Sequence, residues 1–309
     1  ITTIREGTLA TPDSPHHPKE ESYLYQIKKI FAFLKKTDKK FHNPKDFTNI
    51  FKNYDGQIMN VTEQMDFDEF YNLLIDRLEP YLKNTKFENL FKFIFSGTLS
   101  NEIIGKNDCK HYSETKEVFQ SIILQVKNKK NIEESLDAFI SGEMMEGENS
   151  YNCEKCDKKV AALKRQCFKK LPNVLVLVLK RFDFDYDTMQ KNKINDYCEF
   201  PLELNMWKYS QEYLNNNENA ENSNKNNSNK NVNNFNSENY LYDLTGVVIH
   251  TGTSERGHYY SFVKKDNKNW YEFNDTNVSN FDLEDLEDEA FGGTQYYYNN
   301  KTGKNEIME

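Results

Sequence analysis

Residues 244–278 read LTGVVIHTGTSERGHYYSFVKKDNKNWYEFNDTNV. A histidine sits between a glycine and two tyrosines (Gly257-His258-Tyr259-Tyr260), and Asn274-Asp275 comes sixteen positions after it. The segments 244–250 and 258–263 read as strands around a Gly/Ser/Thr loop, and 270–273 reads as a third. A histidine with a hydrogen-bond acceptor on one ring nitrogen keeps the other nitrogen free as a base. A residue on the neighbouring strand can supply that acceptor, so Asn274 is the candidate orienter of His258. Asp275 is expected to support the same region, and Tyr259 and Tyr260 to wall the ring. The stretch reads as the base-and-orienter half of a cysteine-type hydrolytic site, and its nucleophile must be sought elsewhere.

Working outward, the chain is helical first and strand-rich afterwards. Residues 11–22 carry three prolines and no apolar anchor, which predicts a loop. Over 23–35, Leu24, Ile27, Ile30, Phe31 and Leu34 recur at helical spacing. Asn43-Pro44 marks a turn. A second helix is expected from about Thr62 to Leu82, capped by Asn60 or Thr62. Its buried stripe would be Phe67, Phe70, Tyr71, Leu74, Leu78 and Tyr81. Apolar runs at 92–95 and 118–126 predict strands. Asn131 followed by Glu134 predicts a capped short helix through Ile140. The unbroken run 174–179 (VLVLVL) predicts a strand buried on both faces at the centre of the main sheet. Residues 215–239 are Asn-rich and too polar to offset chain entropy, which predicts a disordered insertion. The acidic run 282–289 predicts a solvated helix face or loop.

The 309 residues suffice for one large domain with a real core, or for two smaller ones. A net charge of −9 argues against nucleic acid or an anionic membrane as the main partner and suits a basic peptide or protein. No apolar run reaches membrane-spanning length. Five cysteines, an odd number, read as reduced thiols in an intracellular protein. Cys153-x-x-Cys156 predicts a tight turn with metal-ligand spacing. A zinc site needs a second ligand pair. Upstream, Cys109 and His111 are separated by one residue, and Lys106 stands where the missing cysteine would fall. A degenerate site of Cys109, Cys153 and Cys156 that folds without metal is the expectation. Cys167 and Cys198 lie among apolar and aromatic neighbours and read as core residues, not as activated nucleophiles. At the start of the second helix, Asp66 and Glu69 are spaced to grip a cationic group. Ordinary acidic enrichment at a helix N-terminus explains them equally well.

Taken in order, several segments resemble the ubiquitin-specific protease family of cysteine deubiquitinases. They are Gln64–Phe70, Cys153/Cys156, 171–175 leading to 179–182, Phe200-Pro201, 244–250, Gly257-His258-Tyr259 and Trp270-x-x-Phe-Asn-Asp. The sub-pattern 142–147 (GEMMEG) is similar to the large fat-facets-like members. The resemblance implies a single α+β domain of papain-like, right-hand architecture. A helical thumb would cover 1–90, zinc-ribbon-like fingers 91–165 and a β-sheet palm 166–309, with 215–239 as a palm insertion. It implies His258 as general base, Asn274 as its orienter and Asp275 in support. Gln64, Asp66, Glu69 and Tyr259 would contact substrate, with the two carboxylates facing the arginine-bearing tail of ubiquitin. No cofactor is implied for the chemistry. Ubiquitin and ubiquitinated proteins are the implied partners of a monomer in the cytoplasm or nucleus.

Two departures from the family pattern matter. The Gly-x-x-Asn-x-x-x-x-Cys segment that opens the thumb is expected just before Ile1, so nucleophile and oxyanion-hole asparagine are both outside these residues. The closing Ala-Tyr-x-Leu-x-Tyr strand is represented only by Tyr296-Tyr297-Tyr298. The expectation is a trimmed and inactive piece of a deubiquitinase. The rival is a ubiquitin-binding pseudoprotease or scaffold.

Overall fold

Among the described residues, helices dominate up to residue 95 and strands dominate most of the remainder. The computed structural model describes residues 22–38, 41–61, 64–187, 189–222, 237–265, 269–293, 295–299 and 304–308. The expectations for residues 1–21 lie outside them. Helix α1 (Tyr23–Lys36) begins where Ser22 accepts a hydrogen bond from the Tyr25 N–H. Helix α2 (Lys45–Thr48) comes after the Asn43-Pro44 turn, with Asn43 Oδ1 accepting from Lys45 N at 3.0 Å. Helix α3 (Phe67–Leu82) starts later than its periodicity predicts, because Asp66 caps it: Oδ1 accepts from Asp68 N at 2.8 Å.

The fully buried residues of α3 are Leu73, Ile75, Leu78 and Leu82, so of the expected stripe only Leu78 is fully buried, while Phe70, Tyr71, Leu74 and Tyr81 pack partly buried against the same clusters. The helix packs on two sides at once. Leu73 meets Phe47 and Phe51, while Ile75, Leu78 and Leu82 meet Leu24 and Phe91. Residues 92–95 are not a strand but part of helix α4 (Leu90–Phe95). A run that short carries no decisive period, and the packing of Phe91 against α3 settles it.

Strands β1 (Gly97–Gly105), β2 (Tyr112–Phe119), β4 (Glu143–Met145) and β7 (Ala162–Lys170) form an antiparallel sheet in the order β2-β1-β7-β4. Beyond it lies the small hairpin of β5 (Tyr151–Cys153) and β6 (Lys158–Val160). The run 118–126 is two strands, not one. After Phe119 the chain leaves the sheet, and β3 (Ile122–Gln125) pairs in parallel with β8 (Leu177–Lys180). Ser121 Oγ, donating to Asp68 Oδ1 at 2.7 Å, holds the break. Strand β8 is therefore shorter than expected and sits in a two-stranded pair, not at the centre of a large sheet. The first part of its apolar run is used differently: Val174 N donates to Ile94 O of α4 at 2.8 Å. Helix α5 (Ile132–Ile140) starts as the sequence predicts, with Asn131 Oδ1 accepting from Glu134 N at 2.9 Å.

Next come the hairpin of β9 (Phe182–Asp185) and β10 (Gln190–Lys193), then β11 (Glu203–Asn205) paired with β12 (Leu241–Asp243). Between β11 and β12, helix α6 (Gln211–Asn222) runs into the Asn-rich block, so that block does not begin irregularly at 215. Buried Arg165 explains the difference, since its Nη2 donates to Asn215 Oδ1 at 2.8 Å and ties the helix to β7. Residues 223–236 of the block lie outside the described residues.

The meander of β13 (Gly246–Gly252), β14 (Gly257–Lys265), β15 (Asn269–Asn274) and β16 (Asn277–Phe281) completes the part that matters for chemistry. One face sends Phe262 and Trp270 into the main core, with Leu99, Phe168, Tyr209 and Phe291. The acidic run is amphipathic, not simply solvated: helix α7 (Leu286–Ala290) buries Leu286 and Ala290 in that core. A last hairpin joins β17 (Gln295–Asn299) and β18 (Lys304–Met308). Among the described residues, no helix is long and apolar enough to cross a membrane.

Candidate active site

Strand alternation points every second side chain to one face. His258, Tyr260 and Phe262 therefore share a face of β14, and Glu272 and Asn274 share a face of β15. The register Phe262↔Glu272 makes these the same face of the sheet. There His258 Nε2 lies 2.7 Å from Asn274 Oδ1. The Asn274 amide donates in turn to Glu272 Oε1 at 3.0 Å, and Ser279 Oγ donates to Glu272 Oε2 at 3.3 Å. Nδ1 of His258 is the ring nitrogen this chain of bonds leaves over. The dyad borders a cleft of about 420 Å³ whose lining includes Thr251, Tyr260, Asp282 and Glu289.

Asp275 lies next to Asn274 and acts on the same region through the backbone. It turns the β15–β16 hairpin in the left-handed region (φ 52°) and is exposed. A two-residue hairpin requires that backbone conformation, and Asp adopts it more readily than most residues. Among the described residues no hydrogen bond joins it to His258, so it shapes the turn that ends at Asn274.

Tyr259, one position from His258, points to the opposite face. Its ring lies 4.7 Å from that of His250 and does not wall His258. Tyr260, stacked at 6.5 Å from the His258 ring, has that role. The Tyr259 face is where the helical region meets the meander. Gln64 Nε2 donates to Gly257 O at 2.5 Å, and Gln64 Oε1 lies 3.4 Å from His250 Nε2. Burial, and secondarily the Asp66 carboxylate, pushes the Tyr259 hydroxyl up. Gln64, Asp66 and Tyr259 are thus brought together beside the His258 strand. Glu69 stands exposed in the first turn of α3.

Burial, with the charge of Lys193 as the second cause, pushes His250 below the ordinary histidine range. Lys193 Nζ donates to the carbonyls of His250 and Gly252, each at 2.9 Å. Gly257 is required here, because a Cβ would run into Thr251 O and His250 Nε2.

At the far end of the β1–β2–β7 sheet, four ligand atoms converge. Cys109, His111, Cys153 and Cys156 place one such atom each within 4.8 Å of all the others. The Cys109 Sγ lies 3.8 Å from Cys153 Sγ and 3.6 Å from Cys156 Sγ. His111 Nδ1 lies 3.3 Å from both Cys153 and Cys156 and 3.8 Å from Cys109. Tetrahedral zinc with Zn–S of about 2.3 Å and Zn–N of about 2.0 Å needs sulfur–sulfur spacings near 3.8 Å and nitrogen–sulfur spacings near 3.5 Å. The four residues fit such an ion. His111 completes the set that the three cysteines alone leave short, and the one-residue spacing is no obstacle because Cys109 and His111 sit on a turn leading into β2. Burial raises the Cys153 thiol, but hydrogen bonds from His111, the Cys156 N–H and the other thiols outweigh it and bring it down to about 6. The Cys109 thiol beside it, with burial, pushes Cys156 the other way, up to about 11, so it is the convergence of the four ligand atoms that suits a cation.

Cys167 and Cys198 are fully buried, and burial pushes the Cys167 thiol up to about 12 and raises that of Cys198. Both are core residues, as their neighbours in sequence predict. No cysteine lines the His258 cleft among the described residues.

A histidine held by an asparagine across neighbouring strands of a β-meander is the base-and-orienter pair of a papain-like cysteine hydrolase fold. The chain belongs to the ubiquitin carboxyl-terminal hydrolase family, whose sequence pattern matches residues 3–298. It is 40% identical over 299 residues to human ubiquitin carboxyl-terminal hydrolase 34, covering 93% of this chain and 8% of that protein. It is 39% identical over 326 residues to the fat-facets-like ubiquitin carboxyl-terminal hydrolase puf of Drosophila melanogaster, covering 97% of this chain and 8% of that one. The chain thus spans under a tenth of the length of these relatives. In structure it resembles a chain of the SAGA Ubp8/Sgf11/Sus1/Sgf73 DUB module bound to ubiquitin aldehyde. The TM-score is 0.71 at 24% identity over 94% of this chain and 61% of the other. The architecture is that fold's right hand of helical thumb, β fingers and β-sheet palm.

Proposed function

We propose that this chain is the base-bearing and ubiquitin-gripping part of a thiol-dependent deubiquitinase. The reaction is hydrolysis of the isopeptide or peptide bond after the C-terminal glycine of ubiquitin. The observation that carries the reading is the 2.7 Å bond from His258 Nε2 to Asn274 Oδ1, which leaves Nδ1 as the base. In the first step, a cysteine S–H proton moves to His258 Nδ1 and the sulfur attacks the glycine carbonyl carbon. The tetrahedral adduct collapses, the leaving amine takes the proton from His258, and a thioester remains. Water, deprotonated by His258, then releases the ubiquitin carboxylate and restores the thiol.

None of the five cysteines suits the nucleophile's part. Three belong to the metal-ligand cluster and two are core residues with raised thiol pKa. The thiol is therefore supplied by a residue outside these 309. Asp66, beside Tyr259, and Glu69, exposed in the first turn of α3, would face the cationic tail of ubiquitin. Cys109, His111, Cys153 and Cys156 would hold a Zn²⁺ ion, which would serve structure. The thumb extends through α4 to residue 95, since Phe91 packs with α3. The fingers then run to about 165 and the palm from 166.

The test uses a ubiquitin–fluorophore substrate. The 309 residues alone should give no turnover. The longer protein with its nucleophile should turn over, and His258→Gln in it should abolish the reaction. Turnover by the 309 residues would refute the external thiol. Tight ubiquitin binding with no turnover by the longer protein would favour a scaffold.

A further inference from the structure

We propose that Glu272 is a positioning residue, which selects the amide orientation of Asn274 and thereby the tautomer of His258. The inference rests on the deubiquitinase reading for its consequence, but not for its geometry. An asparagine amide is nearly symmetric in shape, and packing alone does not decide which end faces the histidine. Here the other neighbour decides. An ionised Glu272 is an acceptor only, so the atom 3.0 Å from its Oε1 must be the Asn274 NH₂. Oδ1 then faces His258 Nε2 at 2.7 Å, and Nε2 must carry the hydrogen. Nδ1 is left unprotonated, in the state a general base needs. With the amide reversed, Asn274 Oδ1 would meet the Glu272 carboxylate, acceptor against acceptor. The NH₂ would meet Nε2 as a lone pair, and Nδ1 would hold the hydrogen, unable to take a proton.

The carboxylate is itself held. Ser279 Oγ on β16 donates to Oε2 at 3.3 Å, so one oxygen is occupied by Ser279 while the other receives Asn274. Register places the three together: Glu272 pairs with Ser279, and Asn274 pairs with Asn277 across the same hairpin. Four side chains on three strands therefore form one directional series, Ser279 to Glu272, Asn274 to Glu272 and His258 to Asn274. The direction of each bond is dictated by the acceptor-only carboxylate.

The experiment is ¹⁵N NMR of the His258 ring in the 309-residue chain, at a pH where the ring is neutral, for the wild type, Glu272→Gln and Glu272→Leu. Dispersed amide spectra establish folding in each. The wild type should show a protonated Nε2 and an unprotonated Nδ1. E272Q retains a carbonyl acceptor and should keep that pattern, whereas E272L should populate the opposite tautomer. In the longer protein with its nucleophile, E272L should lower kcat by on the order of tenfold with KM unchanged, and E272Q should recover most of it. An unaltered tautomer in folded E272L would overturn the proposal, as would a wild type protonated on Nδ1. Should E272L fail to fold, the reading of E272Q and of Ser279→Ala decides: a flipped tautomer in E272Q, or no shift at all in the His258 signals of S279A, overturns it. A tautomer that tracks residue 272 in a longer protein that does not hydrolyse ubiquitin conjugates would refute the proposed function and leave this inference standing.

Discussion

Replacing Arg165 by leucine should be among the most destabilising single changes in the chain. The Glu102 carboxylate is fully buried in β1, and Arg165 Nε from β7 reaches its Oε2 at 2.6 Å. Tyr112 and Gln211 each donate to Oε1 at 2.7 Å. Hydrogen bonds to a charged group are worth about 1.5–3 kcal/mol each, and these two offset only part of the cost of burying the carboxylate without its cation. Breaking a buried ion pair by removing one partner costs about 3–5 kcal/mol, against a typical domain stability of about 5–15 kcal/mol. The thermal midpoint should fall by on the order of 10 °C. The pH dependence has a definite sign. Burial alone would push Glu102 up, but hydrogen bonds from Gln211, Tyr112 and Arg165 outweigh it and hold the group below the ordinary glutamate value. In the wild type its stabilisation is complete above that ordinary value and is lost as pH falls through the lowered one. Without Arg165 burial wins, the folded pKa rises, and the variant loses stability as pH rises. The gap between wild type and R165L should therefore be widest near neutral pH and narrow on acidification. Urea unfolding at several pH values reads this directly. The double variant E102L/R165L, with both charges gone, should recover most of the loss. A single variant within about 1 kcal/mol of wild type, or a double variant as unstable as the single, would refute the argument.

Chelation of the metal should lower the thermal midpoint by several degrees, and His111→Ala should abolish that sensitivity. Metal analysis of the native protein should find one zinc per chain, and finding none would exclude the site. Gly257→Ala should lower both stability and turnover, because its Cβ would meet Thr251 O and His250 Nε2. A cost of about 1–3 kcal/mol in unfolding is expected, together with loss of the fixed His258 position. Asn274→Asp should lower turnover, since a second carboxylate would face Glu272 across the present 3.0 Å contact. Like charges at such range repel by about 4 kcal/mol at intermediate dielectric. Adding Glu272→Gln to N274D should restore turnover, which a kinetic double-mutant cycle would measure.

Legibility in the sequence tracks locality. The His258–Asn274 pair is legible because strand alternation and a short hairpin bring residues 258 and 274 together with little help from the rest of the chain. The start of α5 is legible because its cap and its partner are three residues apart. The start of α3 is not, because Asp66, Asn60 and Thr62 are all competent caps, and only packing of the helix between two clusters selects Asp66. The run 174–179 misleads because its period describes burial and not partners, and a backbone bond from Val174 to α4 draws half of it away from any sheet. Spacing alone discounts His111, although ligands need only converge in space. Glu272 carries a usable signal in its position: it lies two residues before Asn274, hence on the same face of the strand.

The placement of His258 depends on restraints from two elements, neither of which lines the cleft. From the sheet side, Lys193 clamps the carbonyls of His250 and Gly252, and Ser254 Oγ donates to Lys191 O at 2.6 Å. These bonds fix the loop between β13 and β14 to the β10 strand. From the helical side, Gln64 takes the carbonyl of Gly257, the residue next to the base. Loss of Gln64 alone should leave the loop clamped and the fold intact while letting the helical region separate from the base. The expected outcome for Gln64→Ala is therefore a change in turnover far larger than its change in thermal midpoint. His250 adds a condition. Its ring is pushed towards the neutral form by burial and Lys193. The stability it lends to the junction is thus present above the ordinary histidine value and lost as pH falls below it. Protonation would also put a hydrogen on the buried His250 Nδ1, which has no hydrogen-bond partner among the described residues, so a His250→Gln stability profile flatter than wild type over that range is the measurement that would show it.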